Sequence, residues 1–556
     1  MCGIAGFISS DPKYDSAKIV REMLATMRHR GPDQTGVYKD GFVTLGMTRL
    51  NIVDNEKHDI PYESFDKSVT VVYNGEIYNH DSLRGAYGNR YEFKTKSDAE
   101  TVLYHYIGKG VKSFEDYNGM YAFALYDRRK KEVFVVRDKA GEKPLYYCRT
   151  ESFFAFASEI KAFFVFLKPV FNKECVSYSA YEFNVGEETL FKNIYSLLPG
   201  EYLSINRAMG VRKNKYWKIW DNLIDIPDNL PKIEKNLTEL IVDAIKLRTK
   251  NRVHPYGTFI SGGVDSALIA CIAKPDYLYT CHYAMDDYNE LEYAKLVSKK
   301  TKKRLIIVSP TAEDFKRTRK SIIYHLDTPC TWTSFSLWML LERAHKDVRV
   351  ILSGDGADEI FAGYHRYHLL HHDDQVRQLK ALEKYSYLID RYYGSAAKRY
   401  AKLVNRCENR YDTKVIQYLE KIMEFYFEKM NNNNIHAMGV ADFYTSMQEL
   451  LQFADRINMS FSVENRSPFL DYRLIQFAFS IPAKYKLRNG TTKWILKRIA
   501  KKFIPVEITE RIDKRGFSAP VNRWFGWDKK GKYDRSEYKR AVYNDWKKVF
   551  KVANTR

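Results

Sequence analysis

Apolar positions follow two different rhythms along the chain. Up to about Lys168 they gather in short runs rich in β-branched and aromatic residues, such as Val69–Tyr73, Tyr121–Tyr126 and Val133–Arg137, with turn residues between them. Few long helical patterns interrupt these runs, so a sheet-dominated domain is expected. From about residue 232 the texture changes. Apolar runs at Tyr256–Ile260, Tyr277–Tyr283, Leu305–Val308 and Val348–Leu352 alternate with helical patterns such as Ala267–Ala273 and Leu291–Ser298. That alternation predicts a doubly wound parallel sheet, with ligands at the carboxyl ends of its strands. Residues from about 170 to 225 read as a connection, and Leu197–Glu201 (LLPGE) as a turn within it. His371–His436 reads as helical, basic and Tyr-rich, closing on a loop at Asn431–Asn434. No internal repeat is evident.

Composition narrows the class. A chain of 556 residues is too long for one core, and 45% hydrophobic residues suffice to bury two. Lys and Arg number 90 against 69 Asp and Glu, a net charge of +21. Such a surplus attracts polyanions, nucleic acid first among them. The basic residues are spread along the chain rather than gathered in one arm, which favours a solvated surface and no nucleic-acid partner. Seven cysteines, with no CxxC pair, argue against a disulfide framework or a zinc knuckle and for a reducing compartment. MCGIAGF lacks the features of a secretory signal, position 2 is not the glycine of myristoylation, and the apolar run Ala162–Leu167 is too short to span a bilayer. A soluble, intracellular, cytoplasmic protein without membrane contact is expected. His365, His368, His371 and His372 could share a helix face, yet no Cys or carboxylate completes a metal set, so a surface helix is the better reading.

The chemistry-bearing residues begin at the amino terminus. Removal of Met1 would leave Cys2 carrying a thiol and a free α-amine, which titrates near pH 8 and could take the thiol proton. A strand leads into Asn74-Gly75-Glu76, placing an amide side chain and an unhindered N–H where an oxyanion hole needs them. Arg49 ends another β-run and offers a fork for an α-carboxylate. Ser97-Asp98-Ala99-Glu100 has the pattern of a capping box, and Asp98 could pair with an α-ammonium group. Together these groups describe a pocket for a free amino acid with a side-chain acyl group.

MCGIAGF, RHRGPD (Arg28–Asp33), TRLNIVD (Thr48–Asp54), YNGEIYNH (Tyr73–His80), SDAE (Ser97–Glu100) and RDKAGEKPLYY (Arg137–Tyr147) resemble the class II glutaminase domain of the asparagine synthetase family. The resemblance implies the four-layered αββα sandwich of N-terminal nucleophile hydrolases. It puts the nucleophile on Cys2 and the oxyanion groups on Asn74 and Gly75. Glutamine binding then falls on Arg49, Leu50, Asn51, Ile52, Val53, Asn74, Gly75, Glu76 and Asp98.

A second site follows the change of texture. Ser261–Ser266 (SGGVDS) lies between a strand and a helix, where backbone N–H groups and the helix N-terminus suit a phosphate. It lacks the ending of a P-loop, and it contains Asp265, a carboxylate that helps phosphate binding only across a Mg²⁺ ion. Ser353–Glu359 (SGDGADE) repeats the logic with Asp355, Asp358 and Glu359. Both turns resemble those of ligases that cleave ATP to AMP and pyrophosphate. Arg456–Asp471, Lys493 in TTKWILKR, and Arg515–Phe525 resemble the asparagine synthase domain. The resemblance implies pyrophosphate binding by Ser261, Gly262, Gly263, Asp265 and Ser266, with Asp265 and Asp358 as Mg²⁺ ligands. It places the ATP nucleoside near Ile260, Tyr283, Ser353 and Gly354, and a catalytic cation at Lys493. Tyr283 stands where a small aliphatic residue is usual, and Asp355 where Glu is common.

The reading is a two-domain α/β enzyme. A class II glutamine amidotransferase domain occupies 2–185, a connection 186–231, an ATP-pyrophosphatase domain 232–526 and a basic tail 527–556. Glutamine, aspartate and ATP are the expected substrates, with ATP and Mg²⁺ the expected cofactors and internally passed ammonia the shared intermediate. The segment Asp327–Phe335 (DTPCTWTSF) has no Arg, unlike the TT-x-R pattern that contacts aspartate in well-known members. Arg466 and Lys493 are the substitutes considered for aspartate's α-carboxylate. Rival readings are an amidotransferase of another carboxylate, on a sugar or peptide, and a nucleic-acid-binding or tRNA-modifying protein. Oligomeric state is left open, a homodimer included.

Overall fold

A computed structural model describes the chain except for residues 54–57, 88–89, 92, 174, 176–182, 251–252, 284, 286–289, 372–394, 405–412, 432, 512–518, 527–535 and 553–556. The expected helices of 372–394, including His372, therefore lie outside the described residues.

The strands are β1 (Cys2–Ile8), β2 (Gln34–Asp40), β3 (Val43–Arg49), β4 (Tyr62–Glu63), β5 (Val69–Ile77), β6 (Gly119–Asp127), β7 (Glu132–Arg137), β8 (Tyr146–Arg149) and β9 (Phe154–Ala157). They continue as β10 (Tyr195–Ser196), β11 (Glu201–Asn206), β12 (Val211–Lys215), β13 (Tyr256–Phe259), β14 (Tyr277–Cys281), β15 (Arg304–Val308), β16 (Val350–Leu352) and β17 (Glu464–Arg466). Among the described residues, two six-stranded antiparallel sheets, ordered β10-β8-β9-β1-β3-β2 and β12-β11-β7-β6-β5-β4, form the amino-terminal half. β1 and β3 are buried at every position and show no polar alternation, because they are covered on both faces. The helix Ser16–Thr26 packs on β1 and β3, β1 faces β5 across the sandwich, and the helix Asp98–Lys109 covers β5. These four layers are the αββα sandwich expected. Residues 195–215, inside the stretch read as a connection, contribute β10 to one sheet and β11 and β12 to the other.

The second half is built on a parallel sheet ordered β15-β14-β13-β16-β17. Strand order reverses between β13 and β16, and at such a switch point the loops diverge and leave a crevice. Within the basic tail, which carries no motif, residues Ser536–Val549 form a helix. Tyr538, Val542 and Trp546 recur at four-residue spacing, so one face is apolar, and all three are buried. Trp546 donates its indole N–H to the carbonyl of Asp327 at 2.9 Å, and the Tyr538 hydroxyl donates to the carbonyl of Cys330 at 2.9 Å. The tail thus covers the segment DTPC.

A buried charge network joins the two halves. Arg30 pairs with Glu159 at 3.0 Å and with Asp455 at 2.8 Å, and Lys143 reaches Asp455 at 3.3 Å. Arg456 lies 3.1 Å from Glu159 and 3.2 Å from Asp327, and Lys161 lies 3.0 Å from Asp327. Glu159 is held well below the usual carboxylate range: burial opposes its charge, but Lys161, His29 and Arg456 outweigh it. Removing one member strands buried charge, which costs far more than the intact pair contributes. Arg456→Met is expected to weaken the joint by about 3–5 kcal/mol. Calorimetry should then show the halves melting separately; one cooperative transition at the wild-type temperature would refute this role.

Candidate active sites

In the amino-terminal half, the ladder sets Cys2 opposite Arg49. β5 brings in Asn74 from the facing sheet, and the Cys2 backbone N–H donates to Asn74 Oδ1 at 3.0 Å. The Asn74 Nδ2 atom is buried and has no hydrogen-bond partner among the described residues. One amide thus holds the Cys2 nitrogen and leaves donors beside this thiol-bearing residue. Arg30 Nε donates to the Cys2 carbonyl at 3.1 Å, fixing the other side of the residue. Burial pushes the Cys2 thiol up, against the opposing pull of the terminal ammonium and of Arg49. The thiol therefore needs a base to ionise.

Asp98 opens the helix Asp98–Lys109, and its Oδ2 accepts from the Tyr73 hydroxyl and, at 2.7 Å, from the Ile77 N–H. The capping pattern departs from the reciprocal form expected. Ser97 Oγ accepts from the Ala99 N–H at 3.3 Å, while Glu100 turns back to the N–H groups of Lys94 at 2.9 Å and Thr95 at 2.8 Å. The carboxylate thus ties down the chain leading into the helix. Glu76 is buried and its carboxyl is pushed up to about 8, first by burial and then by Asp98. The Leu50 N–H donates to the Met1 carbonyl at 2.8 Å and the Asn51 N–H to Asp33 at 2.8 Å; Leu50 and Ile52 are buried, and Val53 is half-buried. The expected glutamine-site residues are therefore neighbours, including Gly75 between Asn74 and Glu76.

In the second half, the turns after β13 and β16 flank a cavity of about 220 Å³. Ser261, Asp265 and Ser266 line one side, and Ser353, Gly354, Asp355 and Asp358 another. Gly262 has φ +66°, a left-handed conformation that residues with a Cβ adopt at a cost, which turns the loop sharply into the helix Val264–Ala273. Lys493 also has a positive φ, +52°, at the start of the helix Trp494–Ala500. Its Nζ lies 2.7 Å from Asp265 Oδ2 and 2.7 Å from Asp358 Oδ1. A Cβ on Gly363 would fall 1.9 Å from Asp358 Oδ1 and 2.2 Å from Lys493 Cε, so only glycine leaves room for this pairing. Asp355 accepts from Ser353 Oγ at 2.7 Å and Asn465 Nδ2 at 3.2 Å, and burial pushes its carboxyl up.

Two expected nucleoside residues, Ile260 and Tyr283, are not among the residues that line this cavity. Ile260 is fully buried, its N–H donating to the Tyr279 carbonyl and its carbonyl accepting from Thr280. The Tyr283 hydroxyl bonds Ser336 Oγ at 2.6 Å, and its ring packs on Trp524. Arg466, considered as a cation for an acceptor carboxylate, points elsewhere: its Nη1 donates to the Arg248 carbonyl at 2.8 Å and its Nε to Glu464. Sequence reasoning left Thr333, Ser334, Phe453 and Asn458 unassigned, yet they complete the cavity wall. Their signal was the helix-start pattern Thr331–Ser334 and the helical face 450, 453, 454, 458, spaced i, i+3, i+4, i+8.

The donor set suits Mg²⁺. Asp265 and Asp358 offer hard carboxylate oxygens, gathered around a single cationic nitrogen. No group of three or more His, Cys, Asp or Glu is assembled for a metal among the described residues. Two protein carboxylates with the remaining positions left to phosphate and water is the usual Mg²⁺ arrangement.

Comparison with known proteins decides the family. The model described as "Asparagine synthase" matches residues 236–539, more than half the chain, and "Glutamine amidotransferase domain" matches residues 1–217. The chain belongs to the asparagine synthase family. A Bacillus subtilis protein named asparagine synthetase [glutamine-hydrolyzing] 1 is 29% identical over 94% of this chain and 88% of its own length. Asparagine synthetase B [glutamine-hydrolyzing] of Escherichia coli is 31% identical over 69% of each. A putative asparagine synthetase [glutamine-hydrolyzing] 2 of Methanocaldococcus jannaschii is 31% identical over 68% of this chain and 78% of its own. As a member, the chain is an enzyme with a ligase half and a glutamine amidotransferase half. No helix among the described residues is long and apolar enough to cross a membrane.

Proposed function

We propose that this enzyme is a glutamine-dependent asparagine synthetase, converting ATP, aspartate, glutamine and water to AMP, pyrophosphate, asparagine and glutamate. The observation that carries the glutaminase step is the Asn74 amide, which grips the Cys2 nitrogen and leaves its own Nδ2 donors unengaged. Once Met1 is removed, that nitrogen is the α-amine, and Asn74 Oδ1 orients it. The amine takes the thiol proton as Sγ attacks the glutamine side-chain carbonyl. Asn74 Nδ2 and the Gly75 N–H then stabilise the oxyanion. The proton passes to the departing ammonia, and water cleaves the thioester to glutamate. Arg49 and Asp98 are suited to the substrate's α-carboxylate and α-ammonium.

In the second cavity, an oxygen of aspartate's β-carboxylate attacks the α-phosphorus of ATP, and pyrophosphate departs. Ammonia then attacks the activated carbonyl of β-aspartyl-AMP, and AMP leaves. Ser261 to Ser266 are suited to the pyrophosphate, and Lys493 to the charge gathering on phosphate oxygens. When bound, Mg²⁺ held by Asp265 and Asp358 would neutralise phosphate charge. Ser353 and Gly354 are suited to the nucleotide.

The acceptor is tested by supplying ATP, Mg²⁺ and glutamine with aspartate or with other carboxylic acids, and following AMP release and labelled asparagine. Stoichiometric AMP and asparagine are expected with aspartate alone. AMP release that ignores aspartate and answers to another acid would replace the acceptor and leave the two-site chemistry in place.

A further inference from the structure

β17 lies at the edge of the synthetase sheet, where Arg466 pairs in register with Leu352. The Arg466 carbonyl accepts from the N–H of Ser353, the first residue of the second cavity loop, at 3.0 Å. The next residue, Ser467, bonds Ser353 Oγ at 3.0 Å, and the preceding Asn465 bonds Asp355. Arg466's main chain is thus built into the wall of the ligase cavity. Its side chain runs the other way, across the domain joint. Nη2 lies 3.8 Å from Glu76 Oε2 in the glutamine pocket, and the guanidinium rests 5.8 Å from the ring of Tyr78. Glu464 Oε1 and the Arg248 carbonyl hold Nε and Nη1, so the fork cannot swing freely.

We propose that Arg466 is the positioning residue through which the ligase half holds the glutamine pocket, fixing Glu76 while its own backbone supports the cavity loop at Ser353. This rests on the glutaminase reading above. Glu76 faces two other carboxylates, Asp98 on the helix and Glu464 on β17, besides the terminal amine. Arg466 is the largest influence opposing burial and Asp98, both of which push the Glu76 carboxyl up. Without Arg466 the carboxyl rises further, so the charged form is lost at higher pH.

The test uses the full-length enzyme and measures glutamine hydrolysis without ATP and ammonia-dependent synthesis separately. Arg466→Met should raise the glutamine KM about tenfold and move the acid limb of kcat/KM for glutamine upward by about one pH unit, the size of shift that loss of a close opposite charge produces. Ammonia-dependent kcat, which Arg466 touches only through its main chain, should fall far less than kcat/KM for glutamine, a split that distinguishes lost positioning from general damage. Glu76→Gln should remove the acid limb, and adding Arg466→Met to it should cost little more, since the two act through one contact. Arg466→Lys keeps a charge at the site and should restore most of the limb, which preserves the test if the Met variant misfolds. Additive losses, or equal falls in both reactions with an unmoved limb, would overturn the proposal. Failure of wild-type enzyme to hydrolyse glutamine would instead defeat the underlying reading.

Discussion

Cys2→Ala is expected to abolish glutamine-dependent synthesis, by at least about a thousandfold, on the scale that loss of a nucleophile produces. Ammonia-dependent synthesis should persist near the wild-type rate. The reason is spatial. Cys2 belongs to β1 and its ladder with β3, whereas the ligase cavity is made by the loops after β13 and β16. The substitution removes a sulfur from a buried position without disturbing the Cys2 N–H to Asn74 contact, because that contact uses the main chain. Purified variant that still releases glutamate from glutamine would end the assignment of the nucleophile.

Asp265→Asn should have the opposite signature: glutamine hydrolysis stays measurable while AMP and pyrophosphate formation drop about a hundredfold or more, since a metal's charge stabilisation is worth several kcal/mol. Asp265 touches Lys493 directly, so the amide also loosens that ammonium. Measuring the Mg²⁺ dependence separates the two effects. A raised Mg²⁺ requirement points to a lost ligand, and an unchanged requirement with slower turnover points to a displaced Lys493. Near wild-type product formation would remove Asp265 from both roles.

Much of this was legible in the sequence because the chemistry sits where secondary structure puts it. SGGVDS and SGDGADE follow apolar runs, and the parallel sheet brings both turns to one switch point. Cys2 and Asp98 open a strand and a helix, Asn74 lies within β5, and the two sheets bring them within reach. What stayed hidden depends on contacts between distant segments. Arg466 looked available as a substrate cation because nothing local shows Glu464, Arg248 and Glu76 converging on it. Tyr283 is named only by the resemblance, and nothing local shows that its hydroxyl meets Ser336, 53 residues along the chain. The tail read as featureless because charge masked a narrow apolar stripe whose receptor, Asp327 to Cys330, lies about two hundred residues earlier.

The charge network between the halves bears on how such enzymes can be recombined. Arg30, Lys143, Glu159 and Lys161 come from the glutaminase half, and Asp327, Asp455 and Arg456 from the ligase half. The glutaminase side brings three bases and one acid, the ligase side two acids and one base, so each carries a surplus that the other offsets. A hybrid joining this glutaminase to a relative's ligase would inherit unmatched ions at its seam unless the partner supplied the same acid–acid–base triplet. The halves are separable as chemistry but not as cassettes, and any graft must move those seven residues as a set.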